Sequence, residues 1–347
     1  MSQIVQVLGV MSSLLGIVNF DKAAQVELET PGTYDSVTRV AVGLNNATLN
    51  NADGTSPAIL AFNENKEFIG QSEKTNFHIP SGAFHDIVVR QPAGPGQQPT
   101  YLQICAHNDA VCVAYVSQTW PSGDRRGWLG DFARACGYPW YYSNIIVGME
   151  HHKPDCAWID QDHTNDIFTS ALQIHMEDFV NHTALDPQEI APYCKYPSMV
   201  FRKDHDYPLN KHRFYFPESA RIPRSSKMKA LWTSPRDGYT GWAFGPGPQK
   251  NSRRDSSPPN PSRAFTHLVS SSHDKHSAQK LCESEASRGP DFVSWSEGIF
   301  CDMKAKTHWP LCENDKVETD CYHWDTHSLV TKGERAAKNY SHVEQWD

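Results

Sequence analysis

The side chains best suited to chemistry gather in residues 151–181, HHKPDCAWIDQDHTNDIFTSALQIHMEDFVN, the chain's densest mixture of His, Asp, Glu and Cys. Asp160, Asp162 and His163 lie almost side by side, and His175, Glu177 and Asp178 follow after a short interval. Carboxylates beside imidazoles can exchange protons with a substrate, which makes Asp160, Asp162, His163 and His175 the catalytic candidates of a glycosidase-like hydrolase. The same groups can ligate a divalent metal, with Asp162, His163 and His175 as the ligands. A structural role competes with both. A histidine on an apolar face is usually hydrogen-bonded within the core, and aspartates ahead of a helix satisfy its orphan N–H groups. The structural role is favoured here, because the chain contains no His-Glu-x-x-His, Gly-x-Ser-x-Gly, Walker, Gly-x-Gly-x-x-Gly or EF-hand spacing.

The element expected to position these groups is a helix beginning at Asn165. Ile167, Phe168, Ala171, Leu172, Ile174, Phe179 and Val180 follow the spacing of a half-buried helix, with Thr164 as N-cap and Phe168, Leu172, His175 and Phe179 on one face. Upstream, 33–125 reads as strands: VTRVAVGL, PAILAF, EFIGQS, HDIVVRQP, TYLQICA and VCVAYVSQ alternate with turns such as FNENKE and QPAGPGQQP. That pattern predicts an antiparallel β-sandwich-like N-terminal half. Cys105 and Cys112 flank Asn108-Asp109 symmetrically, so a tight hairpin would set them opposite one another, with bonding dependent on the turn type.

Residues 126–200 form an aromatic and acidic region containing the expected helix. Trp120, Trp128, Trp140, Tyr141 and Tyr142 gather beside Arg125 and Arg126. Exposed, such rings would suit a carbohydrate ligand; buried, they would fill the core between sandwich and helix, which is the preferred reading. Residues 201–265 hold thirteen Lys/Arg against five Asp/Glu, so this segment is +8 and the remainder −16 in a chain of net charge −8. With nine prolines it reads as a solvated loop or linker, and no nucleic-acid partner is expected of it in a secretory setting.

Residues 266–347 form a Cys-rich, irregular C-terminal part, which makes the predicted class α+β and β-rich. Cys282 with Cys301 and Cys312 with Cys321 would each close a short loop, and HDKHSAQKLCESEA reads as a helix after Ser272. His273/His276 and His323/His327 have metal-ligand spacings but lack the partners of a known zinc motif.

Compartment follows from several weak signals together. Ile4–Val18 is an apolar run of signal-peptide length, so 1–24 reads as a leader or a buried apolar segment. Nine cysteines suit an oxidising compartment, and Asn46, Asn181 and Asn339 begin glycosylation triplets. No later apolar run is long enough for a membrane span. The runs CAWIDQDHTNDIFTSALQIHMEDF, HSAQKLCESEASRGPDFVSWSEGIFCDM and HWPLCENDKVETDCYHWDTHSLV together resemble a family of uncharacterised secreted proteins of filamentous fungi, over about Ser36 to Val330. The resemblance implies secretion, disulfides in the tail and a fungal setting, and it carries no activity or cofactor. The expectation that results is a secreted, effector-like binding protein whose partner is carbohydrate or a host or cell-wall surface. A hydrolase or a metalloprotein using Asp160, Asp162, His163 and His175 is the alternative.

Overall fold

Strands dominate because the N-terminal half is written in short β-branched and aromatic runs, punctuated by residues that turn the chain. The computed structural model describes residues 31–43, 52–73, 77–92, 96–148, 151–179, 190–203, 214–216, 266–312, 319–332 and 334–346. The leader, Asn46, Asn181 and nearly all of the basic 201–265 segment lie outside them. In chain order the first strands are β1 (Ser36–Val42), β2 (Gly54–Thr55), β3 (Ala58–Phe62), β4 (Phe68–Ser72), β5 (His78–Ile79), β6 (Phe84–Arg90) and β7 (Tyr101–Cys105). They are followed by β8 (Val111–Thr119), β9 (Arg125–Leu129), helix α1 (Asp131–Ala135), β10 (Trp140–Tyr142), β11 (Asp155–Ile159), β12 (Ala171–His175) and β13 (Met199–Arg202).

Except for the small β2–β5 pair, these strands form one antiparallel sheet, ordered β10-β11-β8-β1-β6-β4-β3-β7-β12-β13, with β9 also on β8. The sheet curls until its ends meet. The Asp160 N–H donates to Thr169 O (2.7 Å), the Gln161 N–H to His107 O (3.0 Å), and Thr169 Oγ1 to Trp158 O (2.6 Å). A single core therefore takes residues from both ends and the middle, among them Val40, Ile59, Ile104, Val113, Trp158, Leu172 and Phe201.

Two sequence expectations are corrected here. No helix spans 165–180: a 3₁₀ turn at Thr164–Asp166, the strand β12 and a second 3₁₀ turn at Met176–Phe179 take its place. β12 lies between β7 and β13 with all five residues buried, and such two-sided burial produces apolar spacings that a half-buried helix also shows. Phe168, assigned to the buried helical face, is exposed. Cys105 and Cys112 do not bond, because β7 pairs with β3 and β12 whereas β8 pairs with β1, β9 and β11. Cys112 bonds Cys156 on the neighbouring strand, Cys136 bonds Cys194, and Cys105 is a buried free thiol.

The C-terminal part is more ordered than its composition suggests. It contains β14 (His267–Ser271), α2 (Ala278–Glu283), β15 (Asp291–Ser294), β16 (Ile299–Asp302), β17 (Thr307–Pro310), β18 (Cys321–His323), β19 (Ser328–Thr331), β20 (Glu334–Ala337) and β21 (His342–Trp346). β14 lies between β15 and β21, parallel to both, in a five-stranded sheet, while β18–β20 form a separate three-stranded sheet. The expected tail helix starts later than His273, at Ala278, because the Ser277 hydroxyl caps it by accepting from Lys280 N–H. The expected bonds Cys282–Cys301 and Cys312–Cys321 are both present.

The aromatic cluster joins the two halves. Trp120, Trp128, Trp140, Tyr141 and Tyr142 are all buried, and β10 lies along the C-terminal half. Tyr141 donates to Pro290 O (2.9 Å), Tyr142 to Ser277 O (3.2 Å), Trp140 to Ser284 Oγ (3.0 Å) and Trp158 to Arg288 O (2.8 Å). Each of these four rings, from Trp140, Tyr141, Tyr142 and Trp158, buries its apolar body and spends its one polar tip on the opposite half. Gly289, at φ +153°, makes room for this, since a Cβ there would stand 2.4 Å from the Tyr141 ring.

Peptide mapping of unreduced protein is expected to return the four bonds above. Cys105 should resist alkylation until unfolding, because burial pushes its thiol up to about 12. Gly289→Ala should cost about 2 kcal/mol or more in denaturant melts through overpacking against Tyr141. Melting like the wild type would show that the two halves do not depend on this contact.

Candidate functional site

The sequence candidates separate into two places at opposite ends of β12, roughly 13 Å of strand apart. At the first, Asp160 is fully buried where the sheet ends meet. Its Oδ2 accepts from Thr164 N–H (2.7 Å) and from Thr164 Oγ1 (2.5 Å), and Asp162 Oδ1 accepts more weakly from the same N–H (3.3 Å). His163, in the left-handed region at φ +59°, meets Lys203 O through Nε2 (2.5 Å). These are the bonds of a loop being closed. Burial drives the Asp160 carboxyl up to about 7, against the lowering effect of Thr164 and with help from neighbouring Asp162.

At the second place, His175 lies on the Tyr101 ring, centroids 4.1 Å apart and planes 20° from parallel. Its Nε2 meets Glu64 Oε2 at 3.0 Å and its Nδ1 stands 3.0 Å from Asp178 Oδ1. Burial disfavours the imidazolium, but Asp178 and Glu64 outweigh it and raise the His175 pKa. In Glu64, burial likewise opposes charge, while His175 and Thr100 bring the carboxyl below its ordinary value. Each partner thus favours the charged form of the other, with Glu64 largely open to solvent.

Glu64 stands on the rim of an open cleft of about 470 Å³, lined by Asn63, Glu64, Asn65, Gly96, Gln97, Gln98, Thr100, Pro121 and Ser122. Three loops build it: the β3–β4 hairpin tip, the chain entering β7 and the β8–β9 turn. Asn63 Nδ2 donates to Gln97 Oε1 (2.9 Å), and Gln91 holds residue 97 by donating to its carbonyl (2.9 Å) and accepting from its N–H (2.7 Å). Two of the walls are therefore tied to each other before any ligand arrives. The wall is rich in side-chain amides, which both donate and accept.

His175 is the only sequence candidate beside this cleft, and the partners Glu64 and Tyr101 were not anticipated. They sit in FNENKE and TYLQICA, which read as a turn and a strand; a carboxylate at the centre of a hairpin tip was the available signal. Asp162 and His163 do not join His175, and no three His, Cys, Asp or Glu among the described residues are gathered to hold a metal ion. The tail histidines do not stand on helices. His276 is buried against Ser271 Oγ (2.8 Å), and His327 bonds Tyr322 (3.0 Å). In comparisons with known proteins, no family model matches the chain and no curated protein matches it.

Two pH experiments separate the two places. A raised His175 pKa adds stability that is complete below about 6.5, the unfolded value, and disappears as pH rises through the folded value. His175→Gln should therefore lower the melting temperature more at pH 5.5 than at pH 8.5; the reverse order would mean that Glu64 and Asp178 do not hold a charged ring. Asp160 has the opposite consequence. Its folded pKa is raised, so the unfolded chain gives up this proton first and stability falls as pH rises from about 3.9, the unfolded value, to about 7. Asp160→Asn should gain relative to wild type across that window and no further above it, while Asp160→Ala should lose about 1–3 kcal/mol throughout by stranding Thr164.

Proposed function

We propose that this is a secreted, non-enzymatic binding protein whose cleft takes a hydroxyl-rich ligand, with oligosaccharide of a cell wall or host surface as the ligand class. The observation that carries the reading is the cleft wall: Asn63, Asn65, Gln97 and Gln98 around the fixed carboxylate of Glu64. A sugar ring presents hydroxyls that donate and accept in several directions. Side-chain amides match both roles, and an ionised carboxylate accepts the strongest of these bonds. The prior bonds between the loops reduce the ordering cost of binding.

A hydrolase is less well supplied. Its acid would need a raised pKa and access to the substrate, yet Asp160 has the first and is fully buried, while Glu64 has the second and is held ionised. Four disulfides are compatible with an extracellular protein, and among the described residues no helix is long and apolar enough to cross a membrane. Exposed Asn339 would carry glycan in that setting.

The test is calorimetric titration of the whole protein with soluble chito-, gluco- and xylo-oligosaccharides. Binding to at least one is expected, weakened about tenfold by Glu64→Gln or Gln98→Ala, since each lost hydrogen bond is worth about 1.5 kcal/mol. Binding indifferent to both substitutions, or turnover of any of the sugars, would refute the reading.

A further inference from the structure

We propose a second saccharide-binding surface, on the C-terminal half, built by Trp295 and Trp324. The rings exposed to solvent are not those of the conspicuous 120–142 run. Trp295 is 37 % exposed and Trp324 is half-buried, with centroids 4.8 Å apart and planes at 69°. The row continues edge-to-face from Trp324 to His327 (5.4 Å) and from His327 to Tyr340 (5.6 Å).

The same local device produces both tryptophans. β15 pairs with β16 up to Ser294↔Ile299, and β18 with β19 up to His323↔Ser328. This leaves four-residue tips, Trp-Ser-Glu-Gly at 295–298 and Trp-Asp-Thr-His at 324–327. Each tip opens on tryptophan and closes on a left-handed residue, Gly298 at φ +65° and His327 at φ +45°. His327 at that angle is uncommon backbone, held by its bond to the Tyr322 hydroxyl (3.0 Å). Trp295 is fixed from the other side by its N–H donating to Ser271 O (2.9 Å). The two rings are therefore presented on rigid supports and lose little freedom on binding.

The surroundings decide the ligand class. Neither tip contains a Lys or Arg, and each carries an exposed carboxylate, Glu297 and Asp325, with the hydroxyls of Ser296 and Thr326 beside them. An anionic lipid surface would be repelled. With centroids at 4.8 Å the rings touch and leave no gap between them for a cationic head group. A pyranose offers what remains: a C–H face to lie on the outer Trp295 ring, and equatorial hydroxyls to donate to flanking oxygens. This surface lies on different elements from the cleft and needs nothing from it.

The test uses depletion isotherms of the full chain on insoluble β-1,3-glucan, chitin, chitosan and cellulose. Wild type should be retained on at least one of them. Trp295→Ala should reduce affinity at least tenfold with melting unchanged, and Trp295→Tyr, which keeps a ring, should restore part of it. The fold-loss caused by Trp295→Ala should be the same in the wild-type background and in a Gln98→Ala background, whose cleft is weakened, so the two sites fail independently. If the alanine variant melts early, the tyrosine variant and Glu297→Ala carry the test, each expected to weaken retention severalfold. Retention unchanged by all three substitutions, or wild type that binds proteins but none of the polysaccharides, would overturn the proposal.

Discussion

The front half depends on the joint between Asp160 and Thr169. A curled sheet whose ends do not meet leaves two strand edges and an open core. Here the chain leaving β11 hydrogen-bonds the chain entering β12 through Trp158 and Asp160, and the chain leaving β7 through Gln161, whose N–H donates to His107 O. Asp160 turns the intervening loop by accepting both donors of Thr164. The cost is a carboxylate in a place that disfavours its charge, which explains why the most chemically suggestive residue of the sequence is held away from solvent.

That arrangement also settles what the neighbouring strand can do. β12 is held on both edges and covered on both faces, so the side chain of Gln173 at its centre has to be satisfied from within. Gln173 accepts from Gln103 Nε2 (2.8 Å) and exchanges bonds with the backbone of Tyr215, donating to its carbonyl and accepting from its N–H. At the far end, His175 is free of that constraint on one side and reaches Glu64 at the cleft. One five-residue strand therefore connects a closed structural joint with an accessible polar rim.

Local features were legible in the sequence and long-range ones were not. Cys282 and Cys301, and Cys312 and Cys321, are near in the chain, and the pairing that short loops favour is the one found. Cys112 and Cys156 meet only because a strand from after the aromatic run returns beside β8, which no spacing announces. The strand runs were visible through β-branched residues, whereas β12 was misread because burial on both faces removes the alternation that marks a strand. Tyr141 and Tyr142 were rightly expected inside, but the sequence between β11 and β14 hides that they bridge the two halves. The cleft was invisible because its walls are Asn, Gln and Gly of ordinary turn composition.

All nine cysteines are accounted for, and each of the four bonds stays within its own half: two before residue 195 and two after residue 281. The halves are therefore linked covalently by one passage of backbone alone, through the basic 201–265 segment. Protease cleavage there would produce a noncovalent two-chain protein. The fragments would still travel together through gel filtration, held by the Trp140–Tyr142 ribbon, yet separate in detergent without any reductant. In an environment rich in proteases, the molecule's integrity would then rest on buried aromatic surface and a few carbonyl bonds, as in a tight heterodimer.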